Sequence, residues 1–381
     1  MRRLHDTISR LGAMRRMAQA MTPDANTATL DTLTDFGSNP GNLVAKLHLP
    51  DGLKPNSPLV VVLHGCTQTA DVYDRGSGWS TLADQHGFAV LYPEQRRTNN
   101  SNLCFNWYST SDARRGRGEA LSISQMVAAT VTKHQLDSGR VFITGLSAGG
   151  AMTSVMLAAY PEVFAGGAIV AGLPFGSANS VPEAFERMRG NGRADEDQLP
   201  QLVVRASKHQ GPWPTVSVWH GSSDHIVVPT NADAIVEQWR GVHGVGAAPV
   251  TSQTVAGHMR HVWTDARGRD VIEQYQISGM GHGVPIDTRG EMACGVAGAH
   301  MLEAEICSTS HIAQFWDLTI ENAARPAARQ VKLYDENASA IDRAPPRRAL
   351  PTAARQAGRH APTSPITRVI EDALRAAGLM R

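Results

Sequence analysis

The stretch that most constrains this chain is Val141-Phe142-Ile143-Thr144-Gly145-Leu146-Ser147-Ala148-Gly149-Gly150-Ala151-Met152. A short apolar, partly β-branched run enters Gly-x-Ser-x-Gly, and a helix-forming run continues to about Tyr160. The pattern predicts a strand, a sharp turn and a helix, with one serine at the apex. Gly145 and Gly149 lack the Cβ atoms that would collide where strand and helix approach so closely. Such a turn holds the hydroxyl clear of the sheet and sets the next backbone N–H at a helix N-terminus, suited to a developing oxyanion. A dinucleotide-binding glycine loop is the rival reading. It fails because Ser147 stands where a second glycine must let the backbone approach a pyrophosphate.

Around this turn, strands alternate with helices. Leu59-Val60-Val61-Val62-Leu63 is a continuous apolar run, as expected of a strand buried on both faces. It ends in His64-Gly65-Cys66-Thr67-Gln68. The pattern then predicts a helix over 79–86, a strand over 88–92 stopped by Pro93, a long loop over 96–118 and a helix over 121–134. After the elbow come a strand over 167–171 and an insertion over 172–212, with a helix near 182–188, that could cover the site. A strand over 216–219, a helix over 231–239, two antiparallel strands within 254–277 and a closing helix over 311–322 follow. Residues 42–49 alternate as an edge strand does. The alternation argues a three-layer α/β sandwich with a mostly parallel central sheet, one catalytic domain over 25–322. Residues 1–24 are expected to form an amphipathic helical extension, and 323–381 an Arg/Pro-rich linker with a last helix over 366–379, for which Ser364-Pro365 would supply the cap and first turn.

The formal net charge of +1 is unevenly spread. Residues 1–21 carry five Arg and one Asp, hence +4; residues 321–381 carry ten Arg and one Lys against six acids, hence +5, leaving −8 for the middle. An acidic globule with basic ends does not suit nucleic acid as the partner of the globule. The basic amphipathic ends instead suit docking on the globule or on a second copy in a homodimer, or a granule or membrane surface. No run of 18 apolar residues is present, so no transmembrane segment is expected. Leu4, Ile8, Leu11 and Met14 sit among polar residues at helical spacing, unlike the continuous apolar core of a secretory signal peptide. That points to the cytoplasm. The four cysteines, Cys66, Cys104, Cys294 and Cys307, form no CxxC pair, and no HExxH exists, so neither a zinc site nor a thioredoxin-type redox pair is expected. Their even number allows two disulfides or four free thiols.

Serine becomes a nucleophile only when a base removes its proton and a carboxylate orients that base. With a nucleophile elbow, the partners follow in the order acid, then histidine, each on a loop after a later strand. His282, between Gly281 and Gly283 and directly after a predicted strand, is the expected base. Asp224, five residues beyond Trp219 at a strand's C-terminal end, is the expected acid. Asp287 is the alternative; Asp233 falls within a helix and Asp265 in a hairpin turn. The oxyanion hole needs two convergent N–H donors, expected at Ala148 and at Cys66 in the loop after the first buried strand. His64 reads as a support for that loop. Trp107, Tyr108 and Trp213 are candidates for lining an acyl or polymer groove, and equally for packing.

His64-Gly65-Cys66-Thr67-Gln68, Cys104-x-Asn106-Trp107, Gly145-Leu146-Ser147-Ala148-Gly149-Gly150, Val218-Trp219-His220-Gly221-x-x-Asp224 and Gly281-His282-Gly283 together resemble the polyhydroxybutyrate (PHB) depolymerase family of esterases, over roughly residues 40–320. The resemblance implies an α/β-hydrolase fold and a Ser147–Asp224–His282 triad that transfers an acyl group to water without a cofactor. It makes Cys66 and Cys104 candidate disulfide partners beside the site, with Cys294 and Cys307 as a second bridge. The family and paired cysteines keep a secreted or periplasmic location open. Poly(3-hydroxybutyrate) or its oligomers is the first substrate it implies. Feruloyl or acetylxylan esters are the alternative within the family, and related sequences add polyamides such as poly-aspartate. No separate fibronectin-like or polymer-binding domain is expected beside the catalytic one. A granule- or membrane-surface interaction protein is the reading from another class, which an intact triad disfavours.

Overall fold

The computed structural model describes residues 30–192, 198–290 and 292–319. The helices expected within 1–24 and 323–381, and any dimer or surface contact made through them, lie outside these residues. Ten strands join one sheet: β1 (Asp31–Leu33), β2 (Val44–His48), β3 (Leu59–Leu63), β4 (Ala89–Glu94), β5 (Val141–Leu146), β6 (Gly166–Val170), β7 (Thr215–Gly221), β8 (Thr251–Val255), β9 (His258–Thr264) and β10 (Asp270–Ile277). Their spatial order is β1-β2-β4-β3-β5-β6-β7-β10-β9-β8. The central run from β4 to β10 is parallel throughout, and the flanking strands join it antiparallel. Alternate side chains of β3 serve opposite faces: Leu59, Val61 and Leu63 enter one core, Val60 and Val62 the other.

Helices cover both faces. On one lie α3 (Gly118–Lys133), α4 (Ala148–Ala159) and α7 (Thr230–His243), contributing Ile123, Val127, Met152, Val155, Ile235 and Trp239. On the other lie α1 (Ala70–Ser77), α2 (Trp79–His86) and α8 (Ser308–Phe315), contributing Tyr73, Trp79 and Ile312. Every residue of α4 is buried. Its sequence explains this: small and apolar residues all round, with no charge, suit a helix that has no solvent face. The expected three-layer α/β architecture is what forms.

Several local expectations are corrected. The strand over 42–49 is β2, one place inside the edge, because the short β1 pairs beyond it. Pro93 does not stop β4: pairing with β3 ends at Leu91, so a residue without an N–H is tolerated further along. Helix α1 escaped notice because Gly76 and a polar composition weaken its pattern; Thr69 caps it by accepting from the Val72 N–H, and Gly78 ends it in the left-handed region at φ 75°. The insertion holds two helices, α5 (Val181–Met188) and α6 (Leu199–Ala206). The expected antiparallel pair is β9 and β10, but β8 extends it outward and β10 also pairs parallel with β7. A separate two-stranded ribbon, β11 (Val284–Ile286) with β12 (Met301–Glu303), was not foreseen. The closing helix starts earlier than expected, at Ser308.

Candidate active site

The elbow forms as the glycines require. Ser147 has φ 57° and ψ −116°, a conformation costly for a residue with a Cβ and typical of a strained functional turn. It is pinned on both sides: its N–H donates to Val170 O at 2.9 Å, and its carbonyl accepts from Ala151 N–H at 2.8 Å. A Cβ added to Gly145 would lie 2.5 Å from the Gly149 carbonyl, and one on Gly149 would lie 2.5 Å from His64 O. The first turn of α4 therefore rests directly on the end of β3. Because β3 lies between β4 and β5, the chain reverses direction across the sheet here, where ligand crevices open in such folds.

Accounting for the N–H groups of the 64–68 loop isolates one donor. Gly65 N–H is bound by Gln68 Oε1 at 2.9 Å, Thr67 N–H by Asn102 O at 2.6 Å, and Gln68 N–H by Gly65 O at 3.3 Å. Cys66 N–H has no acceptor among the described residues. The same holds for Ala148 N–H, in the first turn of α4 where no intrahelical partner exists. His64 supports this loop, as expected. Its Nε2 accepts from Gln95 N–H at 3.1 Å, so Nδ1 carries the hydrogen and donates to Gly65 O at 2.8 Å. Burial lowers its pKa to about 4, so the ring is neutral. A disulfide joins Cys66 to Cys104. Behind it, the buried Glu119 accepts from Gln95 Nε2 at 2.6 Å, Asn106 N–H at 2.8 Å and Asn106 Nδ2 at 2.7 Å, which fixes the loop bearing Cys104 and Trp107. Burial dominates those hydrogen bonds and pushes the Glu119 pKa up to about 7.

Asp224 and His282 come from the loops after β7 and β10, adjacent parallel strands. Gly221 is necessary there: a Cβ on it would meet the Met280 and Gly281 carbonyls, the second at 2.6 Å. Ser223 N–H to Met280 O at 3.0 Å and Gly279 N–H to Ser222 Oγ at 2.8 Å tie the two loops. His282 Nδ1 then donates to Asp224 Oδ2 at 2.7 Å, while Oδ1 accepts from the N–H groups of Ile226 and Val227, each at 2.9 Å. Burial alone would raise the pKa of Asp224; hydrogen bonds from His220 and His282, and their charge, outweigh it and hold the carboxyl well below the usual range. With Nδ1 committed to Asp224, the Nε2 of His282 has no partner among the described residues. All three groups are buried, Ser147 at 9%, Asp224 at 1% and His282 at 8% exposure.

The alternative acid, Asp287, is not in this cluster: its Oδ1 accepts from Arg289 and Gly290 N–H in its own turn. Asp233 binds Gln274, and Asp265 binds Arg269. Trp107 is 8% exposed and belongs to the core, edge-on to the half-buried Tyr108 at 5.6 Å. Trp213 is corrected outright. It lines a cavity of about 210 Å³ with Gly139, Phe164, Thr215 and Val271, residues beside the starts of β5, β6, β7 and β10. That is the opposite end of the sheet from Ser147, a strand's length away, so Trp213 cannot line the same groove.

Two further histidines, His220 and His300, neighbour the Asp224–His282 pair. His220 lies 3.3 Å from Asp224 Oδ2. His300 places Nδ1 3.1 Å from His282 O, with ring centroids 5.8 Å apart. Only the quoted motif could have pointed to His220; nothing local marks His300, which a disulfide between Cys294 and Cys307 and the turn at Gly298–Met301 bring into place. Among the described residues, no group of three or more His, Cys, Asp or Glu could hold a metal ion, and no helix is long and apolar enough to cross a membrane.

Comparison with known proteins agrees with this geometry. Residues 43–262 match the family model described as esterase PHB depolymerase. The chain is 47% identical over 295 residues to poly(3-hydroxyalkanoate) depolymerase C of Paucimonas lemoignei, covering 76% of this chain and 70% of that one. It is 31% identical over 285 residues to a probable acetylxylan esterase A of Aspergillus clavatus, covering 72% and 90% respectively. Among solved structures, the acetyl xylan esterase from Aspergillus awamori superposes with a TM-score of 0.62 at 30% identity, over 67% of this chain and 94% of that one. The chain is a carboxylic-ester hydrolase of α/β-hydrolase fold, and it belongs to the PHB depolymerase family of esterases.

Proposed function

We propose that this enzyme cleaves the ester bonds of a poly(3-hydroxyalkanoate), or of its oligomers, through an acyl-enzyme on Ser147. In this reading His282 Nε2 takes the Ser147 proton as Oγ attacks the ester carbonyl. The N–H groups of Cys66 and Ala148 receive the oxyanion, each contributing about 3 kcal/mol at the transition state. Asp224 steadies the imidazolium. His282 then gives its proton to the departing alcohol, and in the second half activates water to release the acid. The observation that carries the chemistry is the buried Asp224–His282 pair at the same C-terminal end of the sheet as an elbow serine and two N–H groups without acceptors among the described residues. The substrate class rests on the 47% identity to a named poly(3-hydroxyalkanoate) depolymerase.

Acetylated or otherwise acylated polysaccharide is the second reading, favoured by the acetylxylan esterase relatives at about a third identity. Product release from both polymers by purified protein, beside Ser147→Ala, separates them. Serine-dependent release of hydroxyalkanoate oligomers supports the first. Release of acetate from acetylated xylan with none from the polyester overturns it in favour of the second.

A further inference from the structure

β7 ends in Trp219-His220-Gly221, and the mechanism above leaves His220 without a part. The ring is 3% exposed. Its Nε2 lies 2.7 Å from Val227 O and 3.3 Å from Asp224 Oδ2, while its buried Nδ1 meets no partner among the described residues. A carbonyl oxygen only accepts, so Nε2 bears the hydrogen, and that one N–H is shared between the carbonyl and the carboxylate. The carboxylate is thus held from three directions. Oδ1 takes two backbone N–H groups, and Oδ2 divides its lone pairs between two histidines.

We infer that His220 is a positioning residue for the triad: its Nε2–H, anchored on Val227 O, fixes the face of the Asp224 carboxylate that meets His282 and withdraws part of the charge on Oδ2. The inference rests on Ser147, Asp224 and His282 acting as the triad. Two consequences follow from ordinary electrostatics. Without the His220 donor, Oδ2 keeps a buried lone pair unpaired and the carboxylate loses one restraint, so the imidazole is less well aimed. The charge left on Oδ2 also attracts the imidazolium more strongly. His300, the other titratable ring beside His282, stays in place in every variant below.

The test compares His220→Phe, which fills the ring's volume without a donor, with His220→Gln, whose amide nitrogen restores one near the Nε2 position. kcat and KM are measured on a soluble short-chain acyl ester, with thermal unfolding and Ser147→Ala in parallel. His220→Phe is expected to lower kcat by roughly 10- to 100-fold with little change in KM, the range for removing the partner that orients a site ligand. His220→Gln recovers most of the lost kcat. An unchanged kcat in His220→Phe, or equal losses in Phe and Gln variants that unfold at the same lowered temperature, overturns the inference and leaves His220 as packing. If His220→Phe does not fold, His220→Met supplies the donor-free variant for the same comparison. Full activity in Ser147→Ala overturns the triad and this inference together; loss there beside wild-type behaviour in His220→Phe overturns this inference alone.

Discussion

At the scale of the residue, the account turns on how a carboxylate is kept charged inside the protein. Asp224 is almost wholly buried, which opposes ionisation, yet hydrogen bonds with His220 and His282, and their charge, reverse the balance. Its depressed pKa has a definite sign in stability. The contribution is fully present above the usual carboxylate range and is lost as pH falls below it toward the folded-state value. Asp224→Asn should therefore flatten the acid side of the stability curve in urea unfolding series below about pH 4. In activity the same variant should lose roughly 10⁴-fold in kcat, because an amide supports the wrong imidazole tautomer. A loss under tenfold would assign the orienting role elsewhere. The turn at Ser147 and the pairing of Asp224 with His282 were legible because each residue sits in a local pattern, glycines around a turn or a polar residue just past an apolar strand. His220 and His300 were not, since their relation to the triad exists only once separate loops meet. Trp213 misled for the converse reason: an aromatic residue in a loop carries no mark of which end of the sheet it occupies.

At the scale of the element, two devices hold the loops that bear the proposed oxyanion donors and the proposed base. The Cys66–Cys104 bridge closes 38 residues of chain, and Cys294–Cys307 closes 13. Chain entropy gives about 4 kcal/mol for the longer bridge and about 3 kcal/mol for the shorter. Replacing both Cys66 and Cys104 by Ala should cost stability of that order in denaturant unfolding. Activity should fall only partly in the protein that remains folded, because the proposed oxyanion donor is the backbone N–H of residue 66 and survives the substitution. Abolished activity in the folded variant would argue against that donor. The second device is Glu119 at the start of α3. Its pKa is raised above the unfolded value of an ordinary glutamate, so the folded state binds the extra proton and stability falls as pH rises from about 4.5 toward 7. Glu119→Gln should remove that slope, on the order of 3 kcal/mol across the interval, as read from unfolding midpoints at successive pH values. An unchanged slope would place the proton elsewhere. The pattern of apolar runs revealed the central strands, because residues buried on both faces leave a continuous signature. It missed α1, the ribbon of β11 and β12, and β8, whose strand residues are almost all exposed.

At the scale of the whole molecule, the sheet separates two ends. Its C-terminal edges gather the elbow, the Cys66 loop, Asp224 and His282, while the strand starts surround the cavity at Trp213. Trp213→Ala should therefore leave kcat/KM on polymer and on short esters within about twofold, apart from any loss of packing. A selective rise in KM on polymer would mean that the chain wraps to the far end. Architecture was readable from the alternation of elements alone, since a parallel sheet demands helical crossovers.

The most direct test of the central claim is hydrolysis of poly(3-hydroxybutyrate) by purified wild-type protein and by Ser147→Ala, followed as released soluble oligomers. The account predicts release by the wild type and a fall of at least roughly 10³-fold in the variant, since what survives comes from binding and the oxyanion hole alone. Equal release by the two proteins would contradict serine catalysis at the elbow.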